Sequence, residues 1–170
     1  MKKIGDYKIM ENFIKLNKDN ILKLEIKTND GKSTGNYLEF DLEDIDLFLK
    51  YQELIEENEK SRKKLRNELL IIEKRQDVKG KKLLTKNQED VIKTIKRFFE
   101  REQEIYDIFL GKGGFKKLLN GRNVTWDTLD QIDKLIEEQI LPHLDLKMEK
   151  ITDKIKNKYN NFKKNNEVLK

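Results

Sequence analysis

Two hydrophobic periods divide the chain. From Ile21 the period is two: Leu22, Leu24 and Ile26 alternate with Lys23, Glu25 and Lys27. After Asn29-Asp30-Gly31-Lys32, the residues Leu38, Phe40 and Leu42 alternate with Glu39 and Asp41. Alternation on both sides of an Asp-Gly step predicts a β-hairpin with one apolar face. The link through Gly35 is longer than a two-residue turn, so alternation alone does not set the register. A lone hairpin is marginal in water, and its apolar face needs a helix or another chain to cover it. Its unpaired edges invite strand addition between copies.

The period then becomes helical. Leu47, Tyr51, Leu54, Asn58, Ser61, Leu65, Glu68 and Ile72 fall at spacings of four and three, which predicts a helix from about Glu43 to Arg75 with a polar middle. The acidic run Asp41, Glu43, Asp44 and Asp46 lacks the glycine and distal glutamate of a calcium loop. It reads as helix initiation, with Asp41 or Asp44 as N-cap. A break centred on Gly80 follows. Thr85 and Gln88 have the spacing of a capping box. The second helix is expected over Lys86 to Leu110, with Val91, Ile95, Phe98, Ile105 and Phe109 as its stripe and Glu102 as an interruption.

The stretch from Tyr106 to Leu129 holds four of the eight glycines and the only tryptophan. Gly111 suits the C′ position that ends a helix in a left-handed conformation, and Lys112-Gly113-Gly114 cannot hold a helix. Phe115 to Leu119 can form one or two more turns, ended by Asn120-Gly121. Thr125 is a natural N-cap, and Val124 with Leu129 has the spacing of a hydrophobic staple. The third helix carries Trp126, Leu129, Ile132, Ile136 and Ile140 on one face. Phe109, Gly111, Gly114, Phe115, Leu119, Gly121, Thr125 and Trp126 are therefore expected to build a structural corner, with Phe115, Leu118, Leu119 and Trp126 filling it. Pro142, in Leu141-Pro142-His143, is expected to kink or stop this helix. From Leu146 a stripe of Met148, Ile151, Ile155, Tyr159 and Phe162 resumes at helical spacing.

The pattern predicts a mainly α fold: an N-terminal β-hairpin, a bundle of three to four helices and a C-terminal amphipathic helical arm. The divisions are an extension over 1–20, a hairpin and helical core over 21–145, and a basic arm over 146–170. Composition agrees. Charged residues make up 41% of the 170, and a single proline and abundant Lys, Glu, Leu and Ile favour long solvated helices. The net charge is +5, and the arm accounts for it: Lys147 to Lys170 holds eight lysines against Glu149, Asp153 and Glu167. The rest of the chain is balanced, so a body-wide nucleic-acid surface is not indicated. A nucleic-acid reading is confined to the arm, and no base-reading motif accompanies it.

Chemistry is sparse. No cysteine means no disulfide and no thiolate metal site, and one histidine cannot supply a histidine-rich metal site. Gly111-Lys112-Gly113-Gly114 lacks the ending of a P-loop and follows a helix, not a strand. Lys112, Lys116, Lys117 and Arg122 form a basic rim of the kind usually solvated. No catalytic residue, cofactor or metal site is expected. MKKIGDYKIMENF has no apolar run of signal-peptide type, and no stretch approaches the roughly 18–20 apolar residues of a spanning helix. The expected location is the cytosol. The apolar faces offered for partner binding are Leu22, Leu24, Ile26, Leu38 and Phe40 on the hairpin, and Met148, Ile151, Ile155, Tyr159 and Phe162 on the arm.

Over roughly residues 35 to 140 the chain resembles the tail-assembly chaperones of long-tailed phages and prophages of Gram-positive bacteria. The resemblance lies in Leu38-Glu39-Phe40-Asp41 leading into a helix and in Phe98-Phe99 through Tyr106-Asp107-Ile108-Phe109. It continues through Gly111 to Gly114, Phe115-Lys116-Lys117-Leu118-Leu119, Gly121-Arg122-Asn123 and the helix from Thr125 to Ile136. It implies a non-enzymatic, self-associating protein that binds the tape-measure protein and tail-tube subunits in the host cytoplasm and is absent from the mature particle. The alternatives are a helical structural protein retained in a phage tail or similar assembly, and a nucleic-acid-binding protein acting through its basic arm.

Overall fold

The computed structural model describes residues 20–28, 30–79 and 83–167, with side chains through Lys158. The expected extension over 1–20 therefore lies outside it except for Asn20. The fold is mainly helical behind an N-terminal hairpin, as the two periods predict. Strand β1 covers Ile21–Lys27 and β2 covers Ser33–Asp41. They pair antiparallel, with Leu22 opposite Phe40 and Leu24 opposite Leu38. The second strand starts earlier than alternation alone suggests. An irregularity between Glu25 and Lys27 and a positive φ at Gly35 let Ser33 pair with Lys27, so the link is only a short turn after Thr28. β2 holds two more residues than β1 between these pairs, and its inward positions there are the polar Thr34 and Asn36, which hides the start of the strand from a period-two reading.

Helix α1 spans Asp46–Glu73 and α2 spans Lys86–Leu110. They run antiparallel, as the pairs Arg101–Glu57, Arg97–Glu68 and Arg75–Asp90 show. Neither Asp41 nor Asp44 is the N-cap of α1. That position is Ile45, which has no side-chain bond. The carboxylates of Asp41 and Asp44 instead accept from the backbone N–H groups of Glu43 and Asp46 two residues on, forming tight turns that feed the chain into the helix. The capping box at Thr85 and Gln88 forms as its spacing predicts.

Helix α3 covers Gly114–Leu119 and α4 covers Trp126–Leu135. A π-helical turn over Ile136–Ile140 joins α4 to α5, Leu141–Glu167. Pro142 does not stop the helix; the path is helical from Trp126 to Glu167. The Leu141 N–H bonds back to Ile136 O, the wider π repeat, immediately before the proline. A widened turn there removes the clash that a proline ring makes with a tight helix interior. The helix accordingly runs on through the division placed between 145 and 146.

The core sits where the hairpin meets the ends of α1 and α2 and the short α3. Tyr106, Phe115 and Ile140 are fully buried. Phe40 packs on Phe109 at 5.5 Å between ring centres, and Tyr51 meets the same ring edge-on at 5.4 Å. Burial of Ile26, Leu38 and Phe40 contributes about 1.5–3 kcal/mol each. This covers the hairpin face within the same chain, with Leu22 and Leu24 packed against its margin.

Candidate functional site

Three features of the surface and interior bear on function: the glycine-rich corner, a buried polar layer, and the projecting arm with the groove beside it.

The corner is built from backbone polarity. Asp107, on the last turns of α2, accepts from the N–H of Gly113 at 2.8 Å and of Phe115 at 2.9 Å. One carboxylate thus satisfies two of the orphan donors at the start of α3. At the other end, Asn120 adopts the left-handed conformation, and the Arg122 side chain donates to the carbonyls of Leu118 and Leu119. Arg122 therefore also caps the helix while remaining exposed at the basic rim. Gly114 is required by space: a Cβ there would stand 2.7 Å from Leu110 Cβ. Thr125 closes the corner with a capping box to Thr128. Phe115, Leu118 and Leu119 fill it, but Trp126 does not. Trp126 is half-exposed, stacks on Phe98 at 5.2 Å and meets Phe99 edge-on at 5.0 Å. The cause is direction: α3 and its loop carry the chain back along α2, so α4 starts beside Phe98 and then runs parallel to α2.

The polar layer fills the thin middle of the helical seam. Asn58 and Ser61 of α1 are buried, as is Glu102 of α2. Tyr106 donates to Asp133 of α4, and Arg62 pairs with the other Asp133 oxygen at 3.0 Å. Neither Glu102 oxygen has a donor in hydrogen-bonding geometry, and the same is true of Asn58 Oδ1. Burial pushes the Glu102 carboxyl above the usual carboxylate range; the nearby Ser61 hydroxyl and Arg62 oppose this, and the field of Asp133 adds to it. Burial, and then the bond to Asp133, raises the Tyr106 phenol well above its ordinary value. A one-turn slip of α1 against α2 would set these polar groups against Leu54 or Leu65. The layer therefore specifies register at a cost in stability.

Two grooves flank it. A cleft of about 470 Å³ lies between α1 and α2, with Lys60, Lys64, Arg97 and Arg101 around Ser61 and Thr94. A smaller one of about 240 Å³ lies between α1 and the α4–π segment, lined by Tyr51, Ile55, Glu59, Arg62, Asp133 and Glu137. Burial raises the Tyr51 phenol, and so do the fields of Glu137, Asp145 and Asp133, which marks this groove as negative.

The arm leaves the core after Leu144. Met148 is 41% exposed, Ile155 62% and Leu146 57%, while Ile151 is half-buried. Lys147 anchors its base on Glu43 at 2.7 Å. The side chains of Tyr159 and Phe162 lie outside the described residues. Of the residues offered for partner binding, the structure separates two groups. Ile26, Leu38 and Phe40 are buried in the chain's own core, with Leu22 and Leu24 half-buried at its margin. Met148 and Ile155 stand open. Asp107 and Asp133 were legible only in part: an acid six residues ahead of Gly113 is a possible cap signal, but nothing local marks Asp133 as the partner of Tyr106.

Among the described residues no cluster of His, Asp or Glu is arranged to hold a metal ion, and no helix is long and apolar enough to cross a membrane. No protein-family model, curated protein or solved structure matches the chain.

Proposed function

We propose that this protein is a non-enzymatic tail-assembly chaperone of a long-tailed phage or prophage, which self-associates and binds the tape-measure protein and tail-tube subunits in the host cytoplasm. The resemblance through the corner motifs suggests the class. The observation that carries the reading is the arm: a helix continuous with α4 that runs past the core with Met148 and Ile155 uncovered among exposed lysines. An amphipathic helix held out in this way suits an extended helical client, which offers many shallow apolar contacts and no single deep pocket. Reversible coating needs contacts of that modest kind. Mass action over many of them supplies avidity without a tight site.

The test is co-expression with a tape-measure protein from the same phage or prophage. The expected result is a co-purifying complex and a client that precipitates when the chaperone is omitted. A client equally soluble alone, with no complex on a sizing column, would overturn the proposal. Mass spectrometry of purified particles addresses the competing structural reading, since a retained tail component would be present in stoichiometric amount.

A further inference from the structure

We infer that copies of this chain associate head to tail, the basic arm of one copy docking in the acidic groove between α1 and the α4–π segment of the next. The inference rests on the reading of the arm as a partner-binding element and names one partner for it.

Three observations carry it. The first is charge. Glu59, Asp133 and Glu137 line the groove, opposed there by Arg62, which is already paired with Asp133, and the field of Asp145 also reaches Tyr51. The arm presents the opposite sign: Lys150, Lys154, Lys156 and Lys158 are exposed around its apolar stripe. The second is apolarity. Ile55, 40% exposed, and the half-buried Tyr51 stand at the groove, so an aliphatic side chain such as Ile155 or Met148 gains apolar cover there. The third is topology. The path is helical from Trp126 to Glu167, so the arm extends beyond its own groove and cannot turn back into it while that path holds. Docking is therefore between copies. Pairing of two arms with each other would bring eight lysines against eight and is disfavoured by like charge. A contact between two different surfaces repeats from copy to copy and forms a ring or an open filament.

The experiment measures molar mass by light scattering on the full chain and two charge-reversed variants. In the groove variant, Glu59→Lys and Glu137→Lys replace exposed residues. In the arm variant, Lys150→Glu and Lys154→Glu do the same. The native chain is expected to rise above its 20.4 kDa monomer mass with concentration and to fall back toward it in high salt. Each variant alone should remain monomeric, and a mixture of the two should associate again, because each supplies the surface that the other has lost. Circular dichroism and melting confirm that both fold. A native chain that stays monomeric overturns the inference. So does association that survives either variant, as pairing through the hairpin edges would. Binding of the tape-measure client is scored separately. A monomer that still binds client defeats this inference and leaves the proposed function standing; association in the absence of any client binding does the reverse.

Discussion

Tyr106 donates its phenolic hydrogen to Asp133, joining α2 to α4 at the level where α1 presents Asn58 and Arg62. This bond ties three helices at one height. Tyr106→Phe keeps the ring against Phe115 and removes only the donor. The expected cost is about 1–2 kcal/mol, read as a lower urea midpoint with unchanged slope. In the folded protein the phenol titrates above its ordinary value of 10.0. The stability that this shift represents is complete below the unfolded value and is lost as pH rises through the folded one. An absorbance titration should therefore show one tyrosine that ionises only as the protein unfolds in alkali.

Glu102 has the opposite character, a buried acid without a donor. Its folded titration lies above the unfolded value of 4.5, so its neutral form is the one the fold accommodates. Its contribution is most favourable below the unfolded value and declines as pH rises through the folded one. Glu102→Leu is expected to stabilise the protein at pH 7 by about 1–3 kcal/mol. The gain should shrink when melting is repeated near pH 4. A variant less stable than the native chain at pH 7 would show that the carboxylate contributes more to the fold than its burial costs.

At the corner, Gly114→Ala and Gly111→Ala separate space from backbone conformation. A methyl at 114 meets Leu110 Cβ at 2.7 Å, on a backbone that is otherwise helical. At 111 the space is open but φ is +82°. Overpacking should cost about 1–3 kcal/mol at 114, and strain a similar amount, about 1–3 kcal/mol, at 111, where ψ of 161° puts the backbone in a region that only glycine adopts readily and not in the left-handed helical one. Asp107→Ala should cost about 1–2 kcal/mol by leaving Gly113 and Phe115 uncapped. Chemical denaturation of the three variants ranks them.

Stability and partner binding should divide between hairpin and arm. Phe40→Ala removes a buried ring and is expected to cost about 3–5 kcal/mol. Met148→Ser with Ile155→Ser should leave the melting temperature nearly unchanged, since both side chains are exposed, while weakening client binding in pull-downs. Equal loss of stability in both would mean that the arm is part of the core.

Local chemistry determined much of this protein from sequence alone. The hairpin, the seam from Leu47 to Ile72, the exact span of α2 and the caps at Thr85, Asn120 and Thr125 depend on neighbours within a few residues, and period and turn chemistry record such neighbours. Even the polar interruption at Asn58, Ser61 and Glu102 was visible as a fault in two stripes. What only the tertiary structure decided depends on residues far apart. The return of the chain along α2 put Trp126 on Phe98 and drew Tyr106, Arg62 and Asp133 together across separations that no period encodes. The π turn before Pro142 let one helical path replace an expected break, because a wider turn removes a clash that a residue-by-residue rule assumes. The apolar hairpin face reads the same whether it meets its own helices or another chain. Its packing on Phe109 settles that it meets its own, and leaves the arm as the apolar helix held out from the core.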